Sequence, residues 1–483
     1  MKTLNISIEK TQSKLYLSIA AGIRKAIESG SVMPEEKLPS ARALANQLSV
    51  NRHTVMAAYN ELIAQGWVET KQRQGYTVAK SLPIHNALSL KKTPTIKTEK
   101  HVWRIIKPTL QSYSKAASNY PFNFAGGNPD IELFPFNEFR GFVNEALNRP
   151  SIKELNYGEN NGFKVFIEEV STYLRRVRSI VDKEVIVVNG TQEALYITSQ
   201  ILLKTGDKVA VENLGYRPAW AALRNAGANL VGIKQTEQGI DVEHLELIIK
   251  QEKIKLIYLT PLHQYPTTTT LSMAKRGEIY RLAQQYNIPI IEDDYDHEFH
   301  YNSQPLPPMA AHDPSGLVIY LSSFSKIMFP GIRLGIIAVD KSLVQHVVGY
   351  RTLMNHKANV LLQDAVARWM KDGGFERHLR KSTRQYQRRR EFMIDILNGF
   401  ISEGAKIQFT IPKGGMALWI NVGSNAKEIA LKAEKMGIYL LAENAFHLSK
   451  ANDKNKYIRL GFAGQSEEKI EQGLQLLKPL LIN

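Results

Sequence analysis

The feature that most constrains the fold is a series of short apolar runs that alternate with helical stretches after about residue 120. The runs read EVIVVNG, KVAVEN, KLIYLT and IPIIEDD, and each is rich in Val, Ile and Leu without strict polar alternation. Strands of this kind are buried on both faces, as in a mostly parallel sheet covered by helices. We therefore predict an α/β fold, with ligands bound at the carboxyl ends of its strands.

Polar groups follow two of these runs directly. Behind EVIVVNG, the backbone N–H groups at Gly190 and Thr191 begin a helix, whose positive end can bind a phosphate. Behind IPIIEDD, Asp293 lies among carboxylates that repel one another, so one of them needs a cationic partner such as a protonated ring nitrogen. Metal ligation by this acidic cluster is the competing interpretation. Successive strand positions point to opposite faces, however, and disfavour a single metal sphere.

The stretch SSFSKIMFPGIRLG places a lysine among small hydroxyl residues. Burial beside other cations lowers the pKa of a lysine, which would make Lys326 a nucleophile for carbonyl groups. Ser323, Ser325 and Arg333 can together bind a phosphate dianion. A lysine, a carboxylate and a phosphate site are what pyridoxal 5′-phosphate (PLP) requires. The alternative, a surface lysine with unrelated carboxylates, stays open at each motif taken alone.

The first eighty residues follow a different pattern. Apolar residues recur at helical spacing after Leu15, and KLPSARALANQLSVNRHTVMAAYNELIAQGW adds two short helices, capped by Ser40 and Asn51. The second helix presents polar residues at its N-terminus, which is helix-turn-helix geometry for the DNA major groove. GWVETKQRQGYTV then alternates like a hairpin and predicts a wing with a basic tip. The alternative is a helical bundle with an unrelated hairpin.

Positive charge is concentrated at the N-terminal end of the chain. Within a net charge of +16, residues 1–80 hold 11 basic against 6 acidic side chains, and residues 81–115 hold seven against one. Such a segment attracts nucleic acid, although a solvated basic surface is an equal alternative on charge alone. The absence of Cys excludes disulfides and Cys nucleophiles. No run reaches the ~18–20 apolar residues of a membrane span, and no secretory signal is evident, so we expect a cytoplasmic protein.

Nine motifs follow one another through residues 120–483. They read FAGGNPDIELFP, LNYGENNG, VNGTQEAL, VENLGYRPAW, TPLHQYPTTTT, IIEDDYDHEF, SSFSKIMFPGIRLG, PKGGMALWI and YIRLGFA. In this order they resemble the fold-type I, class I aminotransferases. The resemblance implies that Lys326 forms the Schiff base with PLP, that Asp293 pairs with the ring nitrogen and that Tyr295 binds the ring hydroxyl.

The same resemblance implies further contacts. Tyr216 would stack on the PLP ring, and Arg459 would bind the carboxylate of an amino acid. Tyr157 would reach the phosphate in the neighbouring subunit, which implies a homodimer. The residues that would hold the phosphate are Gly190, Thr191, Gln192, Ser323 and Arg333.

The motifs LPSARALANQLSVNRHTV, AYNELIAQGWV and GYTV, within residues 12–79, resemble the GntR family of winged-helix regulators. This resemblance implies a set of DNA-contacting positions: Ser40, Arg42, Arg52, His53, Thr54 and Gly75. A GntR winged helix joined to an aminotransferase-like domain is the layout of the bacterial MocR (GabR-type) regulators. We expect a winged helix at 1–79, a linker at 80–119 and an aminotransferase-like domain at 120–483.

Together the two resemblances imply a PLP-dependent transcription regulator. PLP on Lys326 would sense an amino acid, an amine or PLP itself, and would control binding of the winged helices to a double-stranded DNA operator. A PLP-dependent aminotransferase with an appended DNA-binding domain is the alternative, because the retained residues permit residual or partial transamination. A third interpretation is a DNA-binding protein whose large domain is a cofactor-free dimerisation scaffold.

Overall fold

The computed structural model describes residues 15–71, 75–83, 120–150, 152–156, 160–301, 304–449 and 455–482. The chain divides into two units, which span residues 1–105 and 106–483. Tyr157 and all but the first four positions of the expected linker at 80–119 lie outside the described residues. Within the described part of the chain, no helix is long and apolar enough to cross a membrane.

The first unit contains three helices followed by a two-stranded hairpin. Ser40 accepts a hydrogen bond from the N–H of Ala43 at 3.2 Å, and Asn51 accepts one from the N–H of His53 at 2.9 Å. Both predicted N-caps are therefore confirmed, and the hairpin is antiparallel, as expected for a wing. The elements are α1 (Leu15–Glu28), α2 (Ala41–Leu48), α3 (Arg52–Ala64), β1 (Val68–Lys71) and β2 (Gly75–Val78).

One face of α3 holds this unit together. Val55 and Leu62 are fully buried in the cluster that α3 shares with α1 and α2. Tyr59 donates its hydroxyl hydrogen to the carbonyl of Pro39 at 2.7 Å, and its ring stacks on Tyr76 with centroids 4.1 Å apart. Burying one apolar side chain such as Val55 or Leu62 stabilises a fold by ~1.5–3 kcal/mol. The packing fixes α3 so that Arg52 and His53, at its start, stay exposed.

The second unit contains fifteen described strands and thirteen described α-helices. The strands are β3 (Phe122–Asn123), β4 (Glu184–Val188), β5 (Lys208–Glu212), β6 (Asn229–Ile233), β7 (Gln235–Thr236), β8 (Gly239–Ile240), β9 (Ile254–Leu259), β10 (Ile290–Asp294), β11 (Val318–Ser323), β12 (Gly335–Val339), β13 (Gln408–Phe409), β14 (Ala417–Asn421), β15 (Ile438–Tyr439), β16 (Leu441–Ala442) and β17 (Tyr457–Gly461). The helices are α4 (Phe136–Asn148), α5 (Ile152–Leu155), α6 (Lys164–Arg178), α7 (Thr191–Leu202), α8 (Arg217–Asn225), α9 (Val242–Gln251), α10 (Met273–Tyr286), α11 (Val344–Asn355), α12 (Val360–Lys371), α13 (Gly374–Ser402), α14 (Ala426–Lys435), α15 (Glu467–Leu477) and α16 (Pro479–Ile482).

Seven strands form the central sheet in the order β4-β12-β11-β10-β9-β5-β6. Neighbours pair in parallel, except that β12 runs antiparallel to both β11 and β4. The predicted mostly parallel sheet is therefore confirmed, with buried apolar clusters against it. Six strands end at one edge of the sheet and β12 begins there, so the loops after β4, β10 and β11 meet at that edge.

A smaller antiparallel sheet, β13-β14-β17-β16, forms beside a separate apolar cluster. The long helix α13 contributes the buried side chains of Tyr386, Met393 and Leu397 to this cluster. Strand β17 of this sheet carries Arg459, which brings a second part of the chain into the site described next.

Candidate functional site

The turn between β4 and α7 places a helix N-terminus beside an arginine. Gly190 has φ 93°, which favours glycine, and a Cβ there would lie 3.2 Å from the guanidinium of Arg333. Thr191 and Gln192 open α7, and the amide of Gln192 donates to a backbone carbonyl at the start of α8 at 3.0 Å. This turn therefore presents backbone N–H groups and an exposed guanidinium to an anion.

The end of β11 adds hydroxyl groups at the same edge. Ser323 is the last residue of β11, and its Oγ accepts a hydrogen bond from the N–H of Ser325 at 3.1 Å. Gly335 pairs with Ser323 across β11 and β12. A Cβ on Gly335 would lie 2.8 Å from the Cα of Gly190, so no side chain fits between the start of β12 and the turn that follows β4. The structure thus brings all five residues expected at a phosphate to one edge of the sheet.

Asp293 lies near the end of β10 with one carboxylate oxygen unpartnered. Its Oδ2 accepts a hydrogen bond from the hydroxyl of Tyr258 at 2.8 Å, whereas its buried Oδ1 has no partner among the described residues. Burial raises the pKa of Asp293 to about 7, against the opposing effect of the Tyr258 hydrogen bond. Leaving a buried acceptor without a donor costs ~1–3 kcal/mol. Asp293 Oδ1 therefore fits the protonated nitrogen of a heterocycle.

The neighbouring acids on β10 have partners within the protein. Glu292 accepts hydrogen bonds from the N–H groups of Met309 and Ala310, each at 2.9 Å. Burial disfavours the charge of Asp294, but Arg178, His297 and the hydrogen bond from Tyr320 together outweigh burial and lower the pKa of Asp294 to about 2. Among the described residues, no group of three or more His, Asp or Glu side chains is arranged to hold a metal ion.

Lys326 lies in the loop that leads from β11 to β12, and it is half-buried. Burial, together with the positive charge of Arg459 and against the opposing charge of Asp296, lowers the pKa of Lys326 to about 8. A lysine with this pKa is partly neutral near physiological pH. Its amine can therefore act as a nucleophile.

Arg459 is 1% exposed and has open hydrogen-bond donors. Its guanidinium carbon lies 4.8 Å from the ring centroid of Tyr265, and its Nε and Nη1 have no partner in the part of the chain that the structure describes. Gly127 leaves space nearby, since a Cβ on it would lie 3.4 Å from Nη2 of Arg459. A buried guanidinium with free donors suits a carboxylate.

Two further predicted residues lie in an aromatic group around Tyr265. The Tyr216 ring lies 5.4 Å from that of Tyr265 in a T-shaped arrangement, and the Tyr295 ring lies 6.3 Å from it. The hydroxyl of Tyr295 donates to the carbonyl of His263 at 2.9 Å. Burial raises the pKa of Tyr295 well above its ordinary value, so its hydroxyl stays protonated. The structure thus places Tyr216, Tyr295 and Arg459 around the ring of Tyr265.

Sequence reasoning missed three contributions to this site. Tyr258 holds Asp293, Tyr265 supports Arg459, and Asp296 binds His263 through its Oδ1, 2.7 Å from Nδ1. The position of Tyr265 inside the TPLHQYPTTTT motif was the only available signal for its role. Tyr258 had none, because an aromatic residue in an apolar strand is ordinary core.

A second candidate surface lies on the first unit, at the start of α3. Arg52 and His53 are exposed and Thr54 is partly exposed, whereas Arg42 is exposed on α2. Ser40 is exposed and also caps α2. Gly75, at φ 86°, is exposed at the start of β2, next to wing residues that lie outside the described part of the chain. The polar first turn of α3 can thus face a DNA groove.

The fold and these two sites define a class of protein, a winged-helix DNA-binding domain joined to an aminotransferase fold. Residues 139–477 match the family of aminotransferases class I and II, and residues 15–78 match the gntR family of bacterial regulatory proteins.

Two regulators match nearly the whole chain, and a solved aminotransferase matches three quarters of it. The probable rhizopine catabolism regulatory protein MocR of Rhizobium meliloti is 28% identical over 475 residues, covering 94% of this chain and 91% of MocR. The HTH-type transcriptional regulator TauR of Rhodobacter capsulatus is 27% identical over 476 residues, or 96% of each chain. The crystal structure of kynurenine aminotransferase from Pyrococcus horikoshii, 28% identical, covers 75% of this chain and 91% of its own, with a TM-score of 0.69. The chain belongs to the aminotransferase class I and II family and carries a GntR-type domain, a combination that is consistent with the MocR (GabR-type) subfamily.

Proposed function

We propose that this protein is a bacterial, cytoplasmic transcription regulator that binds PLP in its second unit and an operator DNA through its winged helix. The observation that carries the proposal is that groups at one edge of the sheet match the three parts of PLP. Asp293 Oδ1 suits the protonated ring nitrogen, and Lys326 suits the aldehyde. The helix N-terminus at Gly190, together with Arg333, suits the phosphate.

PLP, when bound, supplies an aldehyde that combines reversibly with primary amines. Lys326 is the protein's own amine at that position, and its lowered pKa keeps part of it neutral. Tyr216 would cover the PLP ring, and Tyr295 would contact its hydroxyl group. Tyr157 is assigned to the phosphate in the neighbouring subunit, so the protein acts as a homodimer in this proposal.

The effector would be an amino acid or an amine, whose amino group would compete with that of Lys326. Arg459 binds the carboxylate of an amino acid effector through its open donors. Binding changes DNA affinity only if the ligand prefers one of two arrangements of the protein. We assign DNA reading to residues 1–79, the connection to 80–119 and effector binding to 120–483. Free PLP is itself a third signal that this site can report.

A PLP-dependent aminotransferase with an appended DNA-binding domain is the second candidate function. It is favoured by the retention of Lys326, Asp293 and Arg459 and by the likeness to solved aminotransferases. Assays over many turnovers separate the two functions, because a sensor needs to bind its ligand only once.

The test uses full-length protein loaded with PLP and a DNA duplex that the protein has selected from a random pool. Ligands are compared as pairs with and without a carboxylate, such as alanine and ethylamine, while visible absorbance and DNA affinity are recorded. We expect one ligand class to shift both, and Arg459→Gln to remove any preference for the carboxylate member. The proposal fails if neither amines, amino acids nor free PLP change DNA affinity, and sustained amino-group transfer would favour the enzyme.

A further inference from the structure

The long helix α13 carries a stripe of exposed cations that the proposed function does not use. They recur at helical spacing, so they lie along one face, opposite the buried side of the helix. The stripe consists of Arg377, Arg380, Lys381, Arg384 and Arg388. We refer to Arg380, Lys381 and Arg384 as the central cations.

Ion pairs neutralise both ends of the stripe and not its middle. Arg377 pairs with Glu138 at 3.0 Å and with Asp372 at 2.7 Å. Arg388 pairs with Glu467 at 2.9 Å. Within the described ranges of the chain, no carboxylate lies within ion-pair distance of the central cations. Their charge is therefore available to an external anion.

This arrangement opposes helix stability. Arg380 and Arg384 stand at i and i+4, as do Arg384 and Arg388, and like charges at that spacing cost ~0.2–0.5 kcal/mol per pair. The acid nearest to the central cations on α13 is Glu376, which Arg176 already occupies. A second helix, α14, mixes signs instead, with acidic residues between its lysines. The uniform sign on α13 is thus a local feature of this surface.

We propose that the central cations of α13 bind the phosphate backbone of the DNA that the winged helix holds. This gives the second unit its own contact with DNA, and it rests on the DNA binding of the GntR domain. From Arg380 to Arg384 the helix rises about 6 Å, a distance over which duplex DNA carries about three to four phosphate charges. Two of the three cations are arginines, whose guanidinium forks match phosphate oxygens.

The charge density therefore fits a polyanion rather than a single small anion. Backbone contacts carry no sequence information, so this surface adds affinity and orientation while α3 reads the site. Because the same unit holds the proposed effector site, an effector that alters this unit would act on DNA directly as well as through the winged helix.

The test compares two triple variants of full-length, PLP-loaded protein. Arg380→Gln/Lys381→Gln/Arg384→Gln removes the central cations, and Lys427→Gln/Lys432→Gln/Lys435→Gln removes the same charge from exposed positions of α14. Affinity for a mixed-sequence duplex of about 60 base pairs, about 200 Å long, is measured over a range of salt concentrations. The logarithm of the DNA-binding constant falls linearly with the logarithm of the salt concentration. We expect the α13 variant to make this slope less steep by about 2–3, and the α14 variant by less than about one.

Equal slopes for the two triple variants would overturn the proposal. A change in oligomeric state of the α13 variant without a change in slope would also overturn it, because the stripe would then be a contact between subunits. Circular dichroism and the PLP absorbance band confirm that each variant is folded. Since the assay contains no effector, its result is independent of whether the effector proposal holds.

Discussion

The two units carry their functional groups in opposite ways. In the winged helix, Arg42, Arg52 and His53 stand exposed on a surface whose core is complete without them. In the aminotransferase unit, Asp293 and Arg459 are buried, and each has polar atoms without a partner among the described residues. An exposed cation is already hydrated and gains only a modest net energy from its ligand, whereas a buried unpaired group gains much more. We therefore expect substitutions to have larger effects on cofactor binding than on DNA binding.

The largest effect expected is that of Lys326→Ala. The variant lacks the only amine assigned to the aldehyde, so covalent retention of PLP after borohydride reduction should fall to background. Basal DNA binding should stay close to that of the wild type, because the variant leaves the winged helix intact. Measurement is by mass spectrometry of the reduced protein and by a DNA-binding assay.

Lys341→Ala, which removes an exposed lysine just after β12, serves as the matched control and should retain PLP fully. If Lys326→Ala lost DNA binding while remaining folded, the contrast between the two units would break down, since the two functions would not be separable.

Asp293→Asn should weaken PLP binding by about 3 kcal/mol, on the order of 100-fold. The substitution keeps the shape of the side chain but removes the charge that we propose faces the ring nitrogen. The variant should fold normally, because the raised pKa of Asp293 shows that burial disfavours its charge in the protein without cofactor. Equilibrium dialysis with PLP measures the effect.

Asp395→Asn changes an exposed carboxylate on α13 and should leave PLP affinity unchanged. Equal affinity of Asp293→Asn and wild type for PLP would mean that Oδ1 of Asp293 does not meet the ring nitrogen.

The same contrast explains what the sequence could predict. Asp293 lies near the end of a strand, and Lys326 and the Gly190 turn come soon after strand ends, so local pattern and the shared edge of a parallel sheet place them near one another. The caps at Ser40 and Asn51 are likewise local.

Other contacts join distant parts of the chain. Tyr258 meets Asp293 across 35 residues, and Tyr265 meets Arg459 only because the smaller sheet packs beside the loop that follows β9. The pattern of apolar and polar residues within one segment cannot predict such contacts, because they depend on how separate segments pack against one another. The sequence therefore predicted the positions of charged groups, and the structure was needed for the neutral residues that orient them.

Arg52→Ala tests the exposed groups of the winged helix. If Arg52 contacts a base, the variant should lose about 1–3 kcal/mol of binding free energy for the selected DNA site. Arg24→Ala is the matched control, since Arg24 is exposed on α1 and pairs with Glu28 at 3.7 Å. Fluorescence anisotropy on selected and scrambled duplexes measures both. Uniform weakening on the two duplexes would assign Arg52 to phosphate rather than to a base, and no weakening would remove it from the DNA surface.

The smallest expected effect concerns the titration of Lys326, whose pKa burial lowers to about 8. Arg459 disfavours the ammonium form and Asp296 favours it. Removing the positive charge with Arg459→Gln should therefore raise the pKa of Lys326, and removing the negative charge with Asp296→Asn should lower it further. The fraction of neutral amine at pH 8 should fall in the first variant and rise in the second.

Reductive methylation of the cofactor-free protein, followed at the Lys326 peptide by mass spectrometry, reports this fraction. Formaldehyde is the labelling reagent, and unlike PLP it has no ring nitrogen for Asp293 to bind. The titration of Asp293, whose pKa is raised to about 7, therefore does not affect binding of the reagent as it would affect binding of PLP. We expect the rate of Lys326 methylation at pH 8 to fall a few-fold in Arg459→Gln and to rise a few-fold in Asp296→Asn. Such opposite changes would show that the buried charges of this unit act on one another. Exposed charges are largely screened by salt at such distances. Labelling that has the same pH midpoint in both variants and in the wild type would mean that burial alone sets the pKa of Lys326.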